Sequence, residues 1–344
     1  MPSNIDSVSA IQDITDAIRA TTAFLSPPDI QQYVKLGFLI VFLGGVGGIG
    51  PVQLLTGIGN VDTDNPVMDE PGSNTASFSD MLTTLDNSEL SLIIGVVVVI
   101  LLCFIGLLAV GSVFEFIFVE VLRQERIKIR AYWRQWWRQG LRLLGFRLVV
   151  GALTVIPIAV IALTVVIPLI TSGNSPSFGV VIFALGICVT TIILSGLLTG
   201  LIKTFVVPVM IIQDETLLTA WQRFWPTVRS EWKEYSIYLI IRFVLQLIIG
   251  IATGLILTLS TIIFAIPAIL ILAAGILLGE ATGIIGITLI IGAIFVFAFG
   301  ILSTAILAAV PIQIFLRYYA LFLLGDTNSR FDLITDRRMS VRKS

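Results

Sequence analysis

The sequence predicts an all-α, polytopic integral membrane protein with six transmembrane helices and interfacial amphipathic helices. The first observation is composition. Of 344 residues, 56% are hydrophobic and 12% are charged, with a mean hydropathy of +1.01, whereas a soluble domain carries about 25% charged residues. The second is the length of the apolar stretches, because a spanning helix needs about 20 apolar residues. The third is that lysine and arginine are absent from every second loop between those stretches.

Six apolar stretches are long enough to cross a bilayer. The last two exceed the length of one crossing, so each is either one long kinked helix or a crossing with a re-entrant turn. We favour one crossing each because no polar turn divides either stretch, and Pro267 would then mark a bend. In chain order the six stretches cover residues 34–55, 92–122, 143–170, 178–212, 235–278 and 284–324.

The distribution of basic residues predicts the orientation of the crossings. With the N-terminus in the cytoplasm, the outer loops are residues 56–91, 171–177 and 279–282, which contain no lysine or arginine. All 21 basic residues then lie on or near the cytoplasmic side, as the positive-inside rule requires. The sequence therefore predicts a multi-pass protein of the cell membrane with both termini in the cytoplasm and an acidic first outer loop.

The chain divides into a terminal segment, a membrane domain and a tail. Residues 1–33 are predicted to form a cytoplasmic amphipathic segment, since apolar residues recur at helical spacing between Ile11 and Leu25. The polarity of this segment indicates that it is no cleavable signal peptide. The transmembrane domain covers residues 34–324, and a basic cytoplasmic tail covers residues 325–344.

Two tryptophan-rich basic segments, residues 123–142 and 213–234, are predicted to lie on the cytoplasmic membrane surface. In RIKIRAYWRQWWRQGLRLLGFR (residues 126–147), helical spacing separates an arginine face from an aromatic face. Tryptophan prefers headgroup depth, and anionic lipids attract arginine. Nucleic-acid binding uses the same residue types, but the segment is tethered between two crossings, so we predict no nucleic-acid partner. The predicted interfacial anchors are Arg130, Trp133, Arg134, Trp136, Trp137, Arg138, Trp221 and Trp225.

A weak parallel internal repeat includes these segments. FVEVLRQERIKIRAYWRQW leads to GFRLVVGALTVIP, and FVVPVMIIQDETLLTAWQRFW leads to IIRFVLQLIIGIA. Each unit contains a crossing, a surface segment and a crossing that begins around an arginine, Arg147 or Arg242. Duplication and convergence of basic loops between apolar helices both explain the likeness.

Polar residues recur at the cytoplasmic ends of the crossings, and we expect them at the depth of the inner leaflet. Ionisable groups at that depth are candidates for function, and a net positive pocket there would suit a lipid phosphate or an acidic ligand. In the alternative interpretation, the basic side chains extend to water and the Glu–Arg pairs fix helix packing. The predicted cluster contains Glu115, Glu120, Arg147, Lys203, Arg242, Gln246, Gln313 and Arg317.

No enzyme motif is evident. The chain has no histidine, and Cys103 and Cys188 both lie in apolar stretches, so we predict no metal, cofactor or catalytic residue. The string GVGGIG (residues 45–50) lies in a predicted crossing and precedes Pro51, so helix packing explains its glycines better than dinucleotide binding.

The leading functional hypothesis is a non-enzymatic protein that organises anionic lipids or partner proteins, including further copies of itself, at the inner leaflet. The alternative is a transporter or permease component for a hydrophobic or anionic solute, although the predicted bilayer midplane is almost wholly apolar. A third hypothesis is a lipid-modifying enzyme that acts through Glu115.

Three strings together resemble an uncharacterised multi-pass membrane family of halophilic archaea. They are DAIRATTAFLSPPDIQQYVKLGFLIVFLGGVGG near the start, EFIFVEVLRQERIKIRAYWRQWWRQGLRLLGFRL in the centre and FLRYYALFLLGDTNSRFDLI near the end. The resemblance covers most of the chain. SPPD and YVKLGF depart from the family's pattern, which suggests a divergent member. The resemblance implies a multi-pass membrane fold and supplies no catalytic residues.

Overall fold

The computed structural model describes residues 9–27, 29–43, 87–166, 177–213, 215–279 and 283–343. These residues form ten α-helices and no strand, which confirms the predicted all-α class. A π-helical turn at Ala162–Val166 extends α4, another at Ile202–Val206 joins α5 to α6, and a 3₁₀ turn at Ser329–Phe331 precedes α10. The helices are α1 Ser9–Leu25, α2 Ile30–Leu43, α3 Asn87–Gln124, α4 Ile129–Ile161, α5 Phe178–Leu201, α6 Val207–Gln213, α7 Leu217–Ser230, α8 Trp232–Gly279, α9 Gly283–Thr327 and α10 Thr335–Lys343.

Within the described ranges, five helical segments are long and apolar enough to cross a membrane. They are Ser91–Gln124, Ile129–Val165, Phe178–Gln213, Trp232–Leu278 and Gly283–Thr327. These segments coincide with the second to the sixth of the predicted crossings.

The first predicted crossing, residues 34–55, is described only as far as Leu43. Its described part belongs to α2, whose 14 residues span about 21 Å, less than the hydrocarbon thickness of about 30 Å. Residues 44–55, with the GVGGIG string, and residues 56–86 of the predicted outer loop lie outside the described residues.

The two longest apolar stretches are single helices, α8 and α9, and neither described helix contains a re-entrant turn. Each continues through a proline, Pro267 in α8 and Pro311 in α9. The two helices pack closely as a hairpin: a Cβ at Gly300 would overlap the ring of Phe264.

The two basic segments fold differently from each other. The first was predicted as a surface helix separate from its crossing, but its residues 129–142 form the opening turns of α4, which runs unbroken from Ile129 to Ile161. The weakest helix formers in the first half of α4 are Gly140 and Gly145, and the helix continues through both. The second segment does form its own helix, α7, which a bend at Glu231 separates from α8.

Most of the buried core lies at one end of the bundle, where α3 and α9 end and α4 and α8 begin. We call this the basal end. Large side chains such as Phe116, Phe205, Tyr238 and Phe322 are fully buried there. Away from this end, the long helices mostly expose leucine, isoleucine, valine and phenylalanine, which suits a lipid environment.

Both described ends of the chain pack against the basal end. The ring of Phe24 in α1 contacts the ring of Tyr318 in α9 edge to face, with centroids 6.3 Å apart. Arg342 of α10 contacts Asp13 and Asp16 of α1 at N–O distances of 3.1 and 2.9 Å. The first and last helices therefore lie together, on the same end of the bundle.

Candidate functional site

The site begins at the crossing of α3 and α4. Gly140 lies directly against Val113: a Cβ at Gly140 would overlap the Val113 side chain and lie 2.8 Å from its Cα. This close approach sets Arg147, two turns further along α4, beside α3. Arg147 Nη1 donates a hydrogen bond to Ser112 Oγ at 3.0 Å.

Glu115 on α3 is paired with cations from three other elements. Its Oε2 lies 2.5 Å from Arg317 Nη2, and its Oε1 lies 3.2 Å from Arg147 Nη2 and 3.6 Å from Lys203 Nζ. Glu115 is 3% exposed. Both carboxylate oxygens are thus engaged, which compensates the cost of burying the charge.

The π-helical turn after α5 supplies the next pair of polar groups, Lys203 and Thr204. A π turn interrupts the regular hydrogen-bond ladder of an α-helix and is frequent at functional sites. Here the Lys203 carbonyl accepts a hydrogen bond from Arg317 Nη1 at 2.6 Å. Arg317 therefore joins α9 to both α3 and this turn.

Arg242 on α8 is the fourth cation. Its Nη1 donates to Thr204 Oγ1 at 2.6 Å and to Tyr238 Oη at 2.9 Å, and its guanidinium lies 5.9 Å from the centre of the Tyr238 ring. These partners are neutral, and no described carboxylate lies within ion-pair distance of Arg242. Among the described residues, hydroxyl groups therefore hold the guanidinium of Arg242 in place, and no carboxylate forms an ion pair with it.

A cavity of about 190 Å³ lies among these groups. Its charged lining consists of Glu115, Lys203, Arg242 and Arg317, that is, three cations and one carboxylate. Gln246 of α8, Gln313 of α9 and Thr204 add neutral polar groups, and Leu43 of α2 closes one wall. The cavity combines a surplus of positive charge with hydrogen-bonding groups, which is the chemistry of an anion site.

The structure brings together all but one of the residues in the predicted cluster. Glu120 lies apart: its carboxylate accepts from the Gln124 amide and lies 3.6 Å from Arg123. Five residues along an α-helix correspond to about 500°, so Glu120 points about 140° away from Glu115.

Three hydroxyl groups at the site were missed by the sequence prediction. They belong to Ser112, Thr204 and Tyr238, and each accepts a hydrogen bond from Arg147 or Arg242. The sequence pattern that could have predicted them is a polar residue inside an apolar helix that lies next to a charged residue or one helical turn from it.

The predicted interfacial anchors divide into exposed and buried residues. Arg130, Arg134 and Arg138 are exposed and form no ion pair with any described residue. Trp137 and Trp225 are exposed, whereas Trp133 and Trp221 are half-buried. All six tryptophans of the chain lie on the opening turns of α4, on α7 or at the start of α8.

Trp136 differs from the other tryptophans that were predicted as interfacial anchors. It is 5% exposed, and its ring stacks on Phe116 with centroids 5.8 Å apart. The cause is the close α3–α4 crossing at Gly140, one turn further along the same face of α4, which presses that face against protein.

No group of three or more histidine, cysteine, aspartate or glutamate side chains is arranged to hold a metal ion in the described part of the chain. The two cysteines are free thiols. The site is therefore a charged and hydroxyl-bearing cluster, and its ligand chemistry is that of arginine and lysine.

These features define a helical membrane protein with a partly buried, positively charged cluster where its long helices meet. The chain belongs to a family of unknown function (DUF7544), whose family model matches residues 8–334. Neither the curated proteins nor the solved structures contain a match to the chain. The family assignment therefore covers almost the whole sequence.

Proposed function

We propose that this is a non-enzymatic, six-crossing protein of the cell membrane that binds and organises anionic lipids at the cytoplasmic leaflet. The observation that carries the proposal is the cationic cavity, in which Arg242 faces no described carboxylate while Glu115 is already shared by three other cations. A phosphate group in this cavity would supply the missing negative charge.

The path of the chain supports a sixth crossing. Both α1 and α10 pack at the basal end, yet α3 begins at the opposite end and finishes at the basal end. Five crossings would leave the two termini on opposite sides. We therefore propose that the first crossing lies within residues 34–55, as the hydropathy predicts, and that it begins in α2.

The distribution of charge and aromatic residues supports a cytoplasmic basal end. The exposed arginines of α4 and the tryptophans of α4 and α7 lie at this end. Each such cation would gain about 1 kcal/mol near an anionic leaflet, and tryptophan favours headgroup depth. This arrangement suits a protein that gathers anionic lipids around its base.

The alternative functions have less support. A transporter would need a polar path between the crossings, but beyond Gln246 and Gln313 the groove that adjoins the cavity is lined by apolar residues and Thr253. A lipid-modifying enzyme would need Glu115 as a general acid or base, but both oxygens of this carboxylate are held in ion pairs. The halophilic archaeal origin stays a prediction of the resemblance.

The test compares two lipids that differ in charge. Full-length protein in a neutral detergent is titrated with fluorescent phosphatidylglycerol and with fluorescent phosphatidylcholine. We expect the anionic lipid to bind more tightly, and Arg242→Gln to weaken its binding by about tenfold, as for the loss of one charge-assisted hydrogen bond. The same substitution should leave phosphatidylcholine binding unchanged.

The matched control is Arg229→Gln, which removes one exposed charge from α7 at the same end of the molecule. We expect it to bind phosphatidylglycerol as the wild type does. Equal binding of the two lipids by the wild type, or equal effects of the two substitutions, would contradict the proposal.

A further inference from the structure

We infer that the groove between α8 and α9 holds a hydrocarbon chain of the same anionic lipid whose headgroup occupies the cationic cavity. This inference rests on the proposed function and adds a second part to the site. The ligand is thereby a phospholipid bound by headgroup and chain together, with the acyl chain lying along the α8–α9 hairpin.

The groove and the cavity adjoin. The groove has a volume of about 370 Å³, and Gln246, Gln313 and Leu316 line both it and the cavity. A molecule whose anionic part faces Arg242 and Arg317 therefore has direct access to the groove. The two amide side chains stand at the junction, where a lipid has its polar linkage between headgroup and chain.

The groove lies along helix positions that carry little or no side chain. Gly250 and Gly254 line it from α8, and Ala305 and Ala309 line it from α9. Neither glycine has any heavy atom within 4 Å of the place where a Cβ would stand. The open space between the helices therefore results from these small residues.

The length and polarity of the groove fit an extended hydrocarbon chain. On α8 it runs from Gln246 to Leu257, about 16 Å at 1.5 Å per residue. Apart from the amides at its mouth and Thr253, its side chains are apolar. A space of this kind next to lipid is filled by hydrocarbon in preference to water, because water there would lack polar partners.

The far end of the groove is closed by close helix contact. Ser260 Oγ donates to Thr304 Oγ1 at 2.9 Å, and Gly300 lies against the Phe264 ring. The groove thus has a polar mouth and a mostly apolar lining that ends at this helix contact, which matches the polarity of a lipid headgroup and one of its chains.

The experiment separates the two parts of the ligand. Full-length protein is titrated with phosphatidylglycerol and with glycerol phosphate, which carries a phosphate group and glycerol but no acyl chain. The test substitution is Gly250→Leu, whose side chain would extend into the groove. We expect it to weaken phosphatidylglycerol binding by about tenfold, since overfilling a packed space costs about that much, and to leave glycerol phosphate binding unchanged.

The matched control is Gly292→Leu on α9, another helical glycine with no neighbour within 4 Å of its Cβ position and outside the groove lining. It should bind both probes as the wild type does. Thermal unfolding verifies that each variant is folded, and Gly254→Leu replaces Gly250→Leu if the latter does not fold.

The outcomes distinguish this inference from the proposed function. If Arg242→Gln weakens phosphatidylglycerol binding but neither groove substitution does, the groove holds no chain of that lipid and the inference is overturned. Glycerol phosphate that binds as tightly as phosphatidylglycerol would also overturn it, because the site would then serve a free phosphate. If Arg242→Gln leaves phosphatidylglycerol binding unchanged, the proposed function itself fails.

Discussion

At the scale of single residues, Glu115 determines how the site is assembled. One carboxylate holds side chains from α4, the π turn and α9, because its two oxygens face Arg147, Lys203 and Arg317. Removing the carboxylate would leave these cations facing one another in a region with little water. The charge of Arg242, by contrast, has only hydroxyl partners among the described groups, so it is available to a ligand.

We predict that Glu115→Gln lowers the free energy of unfolding by about 3–5 kcal/mol, the usual effect of breaking a buried ion pair on one side. The measurement is thermal or denaturant unfolding of the full-length protein in detergent. The control is Glu120→Gln on the same helix, which should cost much less because the partner Arg123 is 45% exposed. Equal losses from the two substitutions would show that Glu115 has no special role.

At the scale of helices, hydropathy predicted the long elements well and their mutual orientation poorly. The apolar stretches located α8 and α9 because each is long, and continuous hydrophobicity needs no partner to be recognised. Trp136 was misplaced because a face that packs on another helix is as apolar as a face that contacts lipid. Glu120 was predicted to lie with Glu115 because sequence position gives the depth of a residue in the membrane. Which groups meet also depends on their direction around the helix, and there the two residues differ.

The α3–α4 crossing gives a prediction at this scale. Gly140→Ala should lower the free energy of unfolding by about 1–3 kcal/mol, because the added methyl overlaps Val113 and the helices must separate. It should also weaken phosphatidylglycerol binding, since Arg147 would move away from Ser112. The measurements are unfolding in detergent and lipid titration.

The control for this crossing is Gly145→Ala, five residues further along α4. No heavy atom lies within 4 Å of its Cβ position, so the methyl group should cause no overlap. Alanine favours helix over glycine by up to about 1 kcal/mol, and the variant should be as stable as the wild type or more so. A loss as large as that of Gly140→Ala would mean that the crossing is not set by close contact.

At the scale of the whole molecule, the packing of the two chain ends against each other could not be predicted from the sequence. Residues 1–33 and 325–344 were predicted as separate cytoplasmic segments, and nothing in their composition indicated that they meet. In the structure, Arg342 of α10 contacts Asp13 and Asp16 of α1 and also Asp326 at the end of α9. Contacts between residues more than 300 positions apart depend on how the bundle folds, and short-range periodicity does not encode them.

This contact between the chain ends should make the stability of the protein depend on pH. Burial, followed by the nearby charge of Asp326, raises the pKa of Asp13 from 3.8 to about 8, although Arg342 opposes the shift and Asp16 adds to it. The folded protein therefore keeps a proton on Asp13 between about pH 4 and pH 8 that the unfolded chain releases. Stability from this group is fully present below pH 4 and falls as the pH rises to 8, by at most about 1.4 kcal/mol per pH unit.

Thermal unfolding between pH 5 and pH 9 should show this decline in the wild type and a much flatter profile in Asp13→Asn. The control is Asp336→Asn, at an exposed position of α10, which should keep the wild-type slope. A wild-type profile that rises over this range would mean that Asp13 is ionised in the folded protein and that Arg342 outweighs its burial.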